Sequence, residues 1–326
     1  SYQAGIRAEF TDIKIELLKT NETNNSSYLC LFPSSHLSYK LDTTNTLQLS
    51  YSRRLNRPRV RNLLPLFTYS DSRNLYTGNP NLQPERSWNM EAGFRQGYKI
   101  GEFMGYLDVA VFKQSYINTI EYLFGFWDPS FALAGFKFLN TGKSEVKGVD
   151  CSWAGKLNIN LKNKIQFIIG YNYILPKALE PDLIFAEDVV HEYSYNNSSL
   201  DSTQRLLKYR FKHSFKFDLE YKRKDDFAIG VSAKYFSRIE NLDRSIEEFE
   251  SATLNTGGTL QPVLYMDYFN NFNNGNLILD ARVSYQFRKL HKVAIISSNI
   301  LNRTFSLRPL KVEPMRTIMF QYSVSI

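Results

Sequence analysis

The chain has 326 residues, with 40 Lys and Arg against 32 Asp and Glu and a formal net charge of +8. No run approaches the ~18 apolar residues of a membrane helix, which argues only against helical insertion. Cys30 and Cys151 form neither a CxxC metal pattern nor a disulfide framework, and positive charge spread over alternate strand positions fits an inner wall and anionic headgroups better than nucleic acid.

Aromatic content is the abnormal figure: 21 Tyr, 24 Phe and 3 Trp make up 15% of the chain. That suits belts of rings at two membrane interfaces, with a soluble sugar-binding sheet as the other reading. A mean hydropathy of −0.35 does not count against a membrane wall, because a polar lumen dilutes the lipid-facing residues of a β-barrel.

The chain opens on SYQAGIRAEF, which reads as a strand without a signal peptide, so a mature chain truncated at its start is expected. From there, tight turns at Asp42–Asn45, Tyr98–Gly101, Leu161–Asn163, Arg223–Asp226 and Arg288–His291 alternate with long polar segments. The long ones run over 19–27, 54–83, 123–135, 176–205, 240–273 and 303–313. Short periplasmic turns and long outward loops are the plan of outer-membrane barrels, and the count here is about twelve strands with a periplasmic C-terminus. Segment 180–204 is acidic, then rich in Asn and Ser, and reads as an exposed loop with room for a short helix near Phe185–Val190. No other helix is predicted.

The stretch 207–221 shows the clearest strand. Leu207, Tyr209, Phe211, His213, Phe215, Phe217, Leu219 and Tyr221 alternate with Lys208, Arg210, Lys212, Ser214, Lys216, Asp218 and Glu220. A period of two places the two sets on opposite faces, and roughly fifteen residues is far longer than the usual soluble strand. Phe227 to Tyr235, Leu277 to Arg288 and Thr317 to Ile326 alternate in the same way, and Cys151 shares a face with Val149 and Trp153. A soluble β-sandwich also alternates, but its strands are shorter and its apolar faces must bury one another. The fold expected is therefore an all-β, antiparallel transmembrane barrel wall occupying residues 1–326 as one domain.

Two segments carry a family resemblance. LQLSYSRRLNRPRVRNLLPLF is followed by YTGNPNLQPERSWNMEAGFRQG, and LDARVSYQFRKLHKVAIISSNILNRTF leads through EPMRTIMFQYSVSI to the end. Together they resemble the C-terminal barrel half of TonB-dependent outer-membrane receptors, in particular the Bacteroidetes-type, SusC-like branch. NPNLQPE at Asn79–Glu85, NILN at Asn299–Asn302 and the Arg316–Thr317 pair before the last strand carry most of it. The resemblance implies a 22-stranded barrel closed by an N-terminal plug and driven through TonB, with this chain supplying about twelve of the strands. It also implies a missing N-terminal segment that meets TonB, and a SusD-like surface lipoprotein as a partner. Ile326 departs from the aromatic residue that usually ends such chains, although Phe320 and Tyr322 share its face.

Candidate sites are few. Arg53, Arg54, Arg57, Arg59 and Arg61 top one strand and enter an outward loop, where guanidinium groups suit anionic solute or lipopolysaccharide phosphate; pairing with plug or loop carboxylates is the plainer role. Tyr265, Tyr268, Phe269 and Phe272, beside several Asn, suit stacking on a sugar, peptide or aromatic chelate, or packing of the loop on itself. Lys208, Arg210, Lys212, Arg282 and Arg288 are expected to line the lumen and hold a plug. Glu187, Asp188, His191 and Glu192, with Glu240, Asp243, Glu247, Glu248 and Glu250, lack EF-hand spacing and read as solvated loops. His213 and Ser214 point to opposite faces and cannot act together, and no catalytic or phosphate-binding motif occurs.

No enzyme activity, cofactor or metal is expected. The leading reading is import of a glycan, peptide, siderophore or similar nutrient. The alternative is a non-transporting barrel serving as a scaffold in a surface or secretion complex.

Overall fold

The computed structural model describes residues 1–18, 21–66, 68–69, 75–128, 133–188, 193–196, 205–224, 226–242, 246–247, 250–251, 265–288, 290–307 and 312–324. In chain order the strands are β1 (Tyr2–Leu17), β2 (Glu22–Lys40), β3 (Asn45–Asn56), β4 (Thr68–Tyr69), β5 (Leu75–Thr77), β6 (Glu85–Ile100), β7 (Phe103–Ile117), β8 (Ile120–Asp128) and β9 (Leu133–Asn140). They continue with β10 (Ser144–Asn160), β11 (Asn163–Ala178), β12 (Ala186–Asp188), β13 (Tyr193–Tyr195), β14 (His213–Arg223), β15 (Phe227–Phe236), β16 (Asn276–Phe287), β17 (His291–Ser298) and β18 (Thr317–Val324). Short helices α1 (Val60–Leu63) and α2 (Tyr265–Phe272) lie in connections where the sequence predicted none.

Twelve strands make one antiparallel sheet in the order β1-β2-β3-β6-β7-β10-β11-β14-β15-β16-β17-β18. Each neighbours the next long strand in the chain, which is the pattern of an up-and-down wall. Among the described residues the sheet is open: β1 pairs only with β2, and β18 only with β17. Connections 41–44, 101–102, 161–162, 224–226 and 288–290 lie at one end, and 18–21, 57–84, 118–143, 179–212, 237–275 and 299–316 at the other. The tight turns are built by their own side chains. Asp42 accepts from the Thr44 and Asn45 amides at 2.7 and 2.8 Å, closing the β2–β3 hairpin.

Residues paired across an antiparallel ladder share a face, so the register traces each side of the wall. One side runs from Tyr2 through Leu37, Leu49, Ala92, Val111, Val149 and Tyr173 to His213. Nearer the turns it runs from Phe167 through Leu219, Val231 and Ala281 to Ser297 and Ile318. Rings are clustered on this face: Trp153 donates to the Tyr98 hydroxyl at 2.7 Å, and Phe103 and Phe167 stack 6.2 Å apart. Ile6 and Phe320 on this face are 72% and 69% exposed, and no described residue forms a second layer over it. An apolar surface this extensive is unstable in water.

The opposite side carries Ser50, Glu91, Asn172, Lys216, Asp218, Glu220, Ser232, Lys234, Asp280 and Arg282, placed by the same register. Polar side chains line this face along most of its length.

Several expectations are corrected. The strand read over 207–221 begins only at His213 and has 11 residues; Tyr209 takes a positive φ of 59°, which an extended strand cannot continue through. Lys208, Arg210 and Lys212 therefore stand in the connection before β14 and are not wall residues. Arg288 likewise is an exposed turn residue, at a φ of 50°, just past the end of β16. Segment 19–27 is no long loop, because β1 and β2 pair continuously to Leu17 and Glu22. Near Phe185–Val190 the chain forms strand β12, with 189–190 outside the described residues.

Candidate functional site

The long connections fold into a layer over one end of the wall. Their sequences carry their own apolar alternation, so they form small sheets and do not stay solvated: β4, β5, β9 and β8 make a four-stranded sheet in that order. Phe124 and Phe136 of β8 and β9 join Ile239, Leu242 and Ile246 from the 237–275 connection in a buried cluster. Tyr122, Tyr209, Phe211, Met266 and Phe269 pack against it, with Tyr122 stacked 4.7 Å from Phe136.

Ion pairs bind the same loops together. Arg210 donates to Glu121 at 2.8 Å, and the Glu121 side chain is only 5% exposed. A charge buried that deeply needs a partner, and the Arg210 guanidinium supplies it from another connection. Lys212 donates to Glu240 at 2.9 Å. Lys208, buried, donates to the Asn196 carbonyl at 2.9 Å and lies 5.6 Å from the Phe185 ring. Burial pulls the Lys137 ammonium below its ordinary value, and it lies 5.7 Å from the Trp127 ring.

The layer leans on the polar face. Asn24, Glu85 and Ser144 all point to that side, and each bonds to a connection. Asn24 donates to the Pro80 carbonyl at 2.9 Å, Glu85 accepts from the Ile120 amide at 2.8 Å, and Ser144 bonds with Thr119 at 2.7 Å. Ile13 and Ile15, apolar positions on the polar face, line a small crevice with Leu63, Pro80 and Leu82 of the 57–84 connection.

The NPNLQPE stretch is the clamp of this layer. Asn79 donates to the Phe138 carbonyl at 3.2 Å, and Asn140 accepts from the Gln83 amide at 2.7 Å while donating to the Gln83 carbonyl at 3.0 Å. Gly78 precedes it because a Cβ there would stand 2.2 Å from the Leu64 carbonyl oxygen. NILN serves the last connection: Asn299 is buried at a φ of 50°, and its amide group donates to the Arg303 and Pro314 carbonyls at 2.8 and 3.3 Å. Asn tolerates that backbone conformation better than most residues.

The sequence-predicted site residues scatter. Arg53 lies on the apolar face over Trp88, at 5.2 Å. Arg54 is on the polar face. Arg57 is ion-paired to Glu9 and 3.3 Å from the Thr11 hydroxyl. Arg59 is the exposed residue before α1, and Arg61 lies 5.0 Å from the Tyr76 ring. Phe269 joins the loop core; the side chains of Tyr265, Tyr268 and Phe272 lie outside the described residues. Glu240 and Glu250 are engaged by Lys212 and the Met266 amide, and Glu187 sits in β12. His191, Glu192, Asp243, Glu248 and the Asp188 side chain lie outside the description. Of the residues expected to line the lumen, Arg282 lies on the polar face of the wall. His213 bonds through Nδ1 to the Tyr171 hydroxyl at 2.8 Å, with Ser214 on the other face.

Glu121 is the residue the sequence did not flag. Its partner Arg210 is 89 positions away, and only the docking of the loops brings them together. A concavity of about 870 Å³ is lined by Leu37, Leu49, Val111, Val149 and Tyr173. These share the apolar face, so the hollow lies on that side of the wall, away from the polar face and the loop layer.

Comparison with known proteins agrees with this wall. Residues 1–124 match the model of the outer membrane protein beta-barrel family. No curated protein sequence matches the chain. Among solved structures, the siderophore receptor PirA from Pseudomonas aeruginosa aligns over 98% of this chain and 46% of its own, at 15% identity and a TM-score of 0.52. The copper transporter OprC aligns over 100% and 45%, at 10% identity and a TM-score of 0.60. The FrpB iron transporter from Neisseria meningitidis aligns over 99% and 42%, at 15% identity and a TM-score of 0.57. The chain thus spans just under half the length of the structures it matches. The fold is that of a β-barrel wall. With the family match and the uncovered apolar face, the chain is placed in the outer membrane of a Gram-negative cell.

Proposed function

We propose that the chain forms about half the wall of a plugged, TonB-driven importer, whose remaining strands close a 22-stranded barrel. The observation that carries this reading is the inward lean of the loop layer. Connections at the long-loop end bond to Asn24, Glu85 and Ser144 on the polar face, so they roof the lumen as an importer's gated mouth requires. A scaffold needs only the wall.

The twelve-stranded sheet aligns with just under half of each receptor or transporter above, which supports closure by strands outside this chain. NPNLQPE and NILN support the SusC-like branch, in which a SusD-like lipoprotein would cover the looped mouth. Arg59 and Arg61, with Tyr265, Tyr268, Phe269 and Phe272, are the residues proposed to meet an incoming solute. Arg57 would do so only by releasing Glu9. Arg282 is proposed to face the plug. A siderophore, a metal chelate, a glycan or a peptide all fit the chemistry of this mouth.

Deletion of the gene, with and without functional TonB, tests the reading through uptake of labelled ferric siderophore, copper, oligosaccharide and peptide. Loss of one uptake on deleting the gene, and the same loss on removing TonB from cells that keep the gene, is expected. Unchanged uptake of all four, with a surface complex lost instead, would establish the scaffold.

A further inference from the structure

On β3, β6, β7, β10 and β11 the apolar face gives way to cations toward the long-loop end. One row of paired residues, Leu37, Leu49, Ala92, Val111 and Val149, is wholly aliphatic. The next rows on the same face hold Arg53, Arg86, Lys113, Lys147 and Lys177 against a single carboxylate, Glu145. Glu145 sits between two of them, accepting from Lys113 at 2.7 Å and Lys147 at 2.8 Å. Arg53 lies over Trp88, and the Arg86 Nε is buried without a hydrogen-bond partner. Lys113, Lys147 and Lys177 are exposed.

Cations on a lipid-facing wall are tolerated only at the interface, where their heads reach phosphate. A Trp ring beside them marks that depth. Five cations around one carboxylate leave positive charge that this face does not neutralise, and the side chains stand directly above hydrocarbon-facing residues. The geometry points to a binding site, on the outer surface of β3, β6, β7, β10 and β11, for the phosphorylated headgroup of a glycolipid in the outward-facing leaflet. Lys113 and Lys147 bracket one phosphate, Arg86 and Arg53 lie on the adjoining strands, and the acyl chains run down the Val111–Val149 row. The site rests on the outer-membrane reading and is separate from the loop layer.

The test uses the full-length protein extracted from outer membranes in a mild detergent, with co-purifying lipid quantified by native mass spectrometry. Bisphosphorylated lipid A and its dephosphorylated form serve as probes. K113Q/K147Q should lower retention of bisphosphorylated lipid A by about tenfold, with K113R/K147R restoring it and K216Q/K234Q on the polar face leaving it unchanged. R53Q/R86Q gives a second measure that spares Glu145 its partners, and should also lower retention. Equal retention by folded wild-type and variant protein, or equal retention of the dephosphorylated probe, overturns the site. A protein that does not fractionate with outer membranes and shows no heat-modifiable mobility would instead overturn the barrel reading on which it rests.

Discussion

Arg282 reaches across a whole strand to grip Asp218. Its guanidinium donates to both Asp218 carboxylate oxygens at 2.8 and 2.9 Å, and to Glu220 at 3.2 and 3.3 Å, from β16 to β14. The side chain passes over Gly230 on the intervening β15, where a Cβ would stand 2.5 Å from Arg282 Cζ. Ser232 completes the knot, 3.1 Å from the same guanidinium. A missing side chain on one strand thus leaves the path for a charge that ties three strands on the polar face.

Replacing Gly230 by Leu should break this knot without touching either charge. Displacing the guanidinium forfeits charge-assisted bonds to half-exposed partners, for an expected cost on the order of 1 kcal/mol. The midpoint of heat-modifiable mobility in SDS gels should fall in G230L and in R282Q alike. The double variant should be little worse than either, and additive losses would show that the two act separately.

The Glu121–Arg210 pair should hold the loop layer and not the wall. Arg210→Met removes an ion pair from a buried carboxylate, at an expected cost of about 1–3 kcal/mol confined to the connections. Limited proteolysis of intact cells should then cut the loops faster, while heat-modifiable mobility stays unchanged.

Phe269→Ala separates packing from ligand contact. The residue packs against the buried cluster of Phe124, Phe136, Ile239, Leu242 and Ile246, and truncation of a partly buried ring should loosen the layer by about 1–3 kcal/mol. Protease sensitivity of the loops should rise even without solute. Reduced uptake with unaltered protease sensitivity would assign the ring to solute binding alone.

Asp42 gives the β2–β3 turn an acid limit. Bonds from the Asn45 side chain and the Thr44 amide hold its carboxyl well below the usual carboxylate range. A depressed folded value means that the turn's stabilisation is present above the ordinary value of 3.8 and is lost as pH falls from there through the folded value. Hydrogen exchange of the Thr44 and Asn45 amides should accelerate below about pH 4 in the native chain, and be fast and pH-independent, after correction for intrinsic exchange, in D42A.

The sequence by itself determined the wall: a dyad period with one aromatic-aliphatic face can form only strands that hide that face, and tight turns rich in Asp and Asn set where they reverse. Phe215, Phe217, Leu219 and Tyr221 were assignable to one side of β14 from the period alone. It also determined that NPNLQPE and NILN matter, through resemblance, without saying why. Only the tertiary structure decided that both are clamps, that Lys208, Arg210 and Lys212 serve loops and not the lumen, and that Glu121 needs Arg210. Alternation is a local property that survives until one residue, here Tyr209, takes a positive φ. The pairing of connections 89 positions apart depends on how long loops dock, and no short-range pattern encodes that.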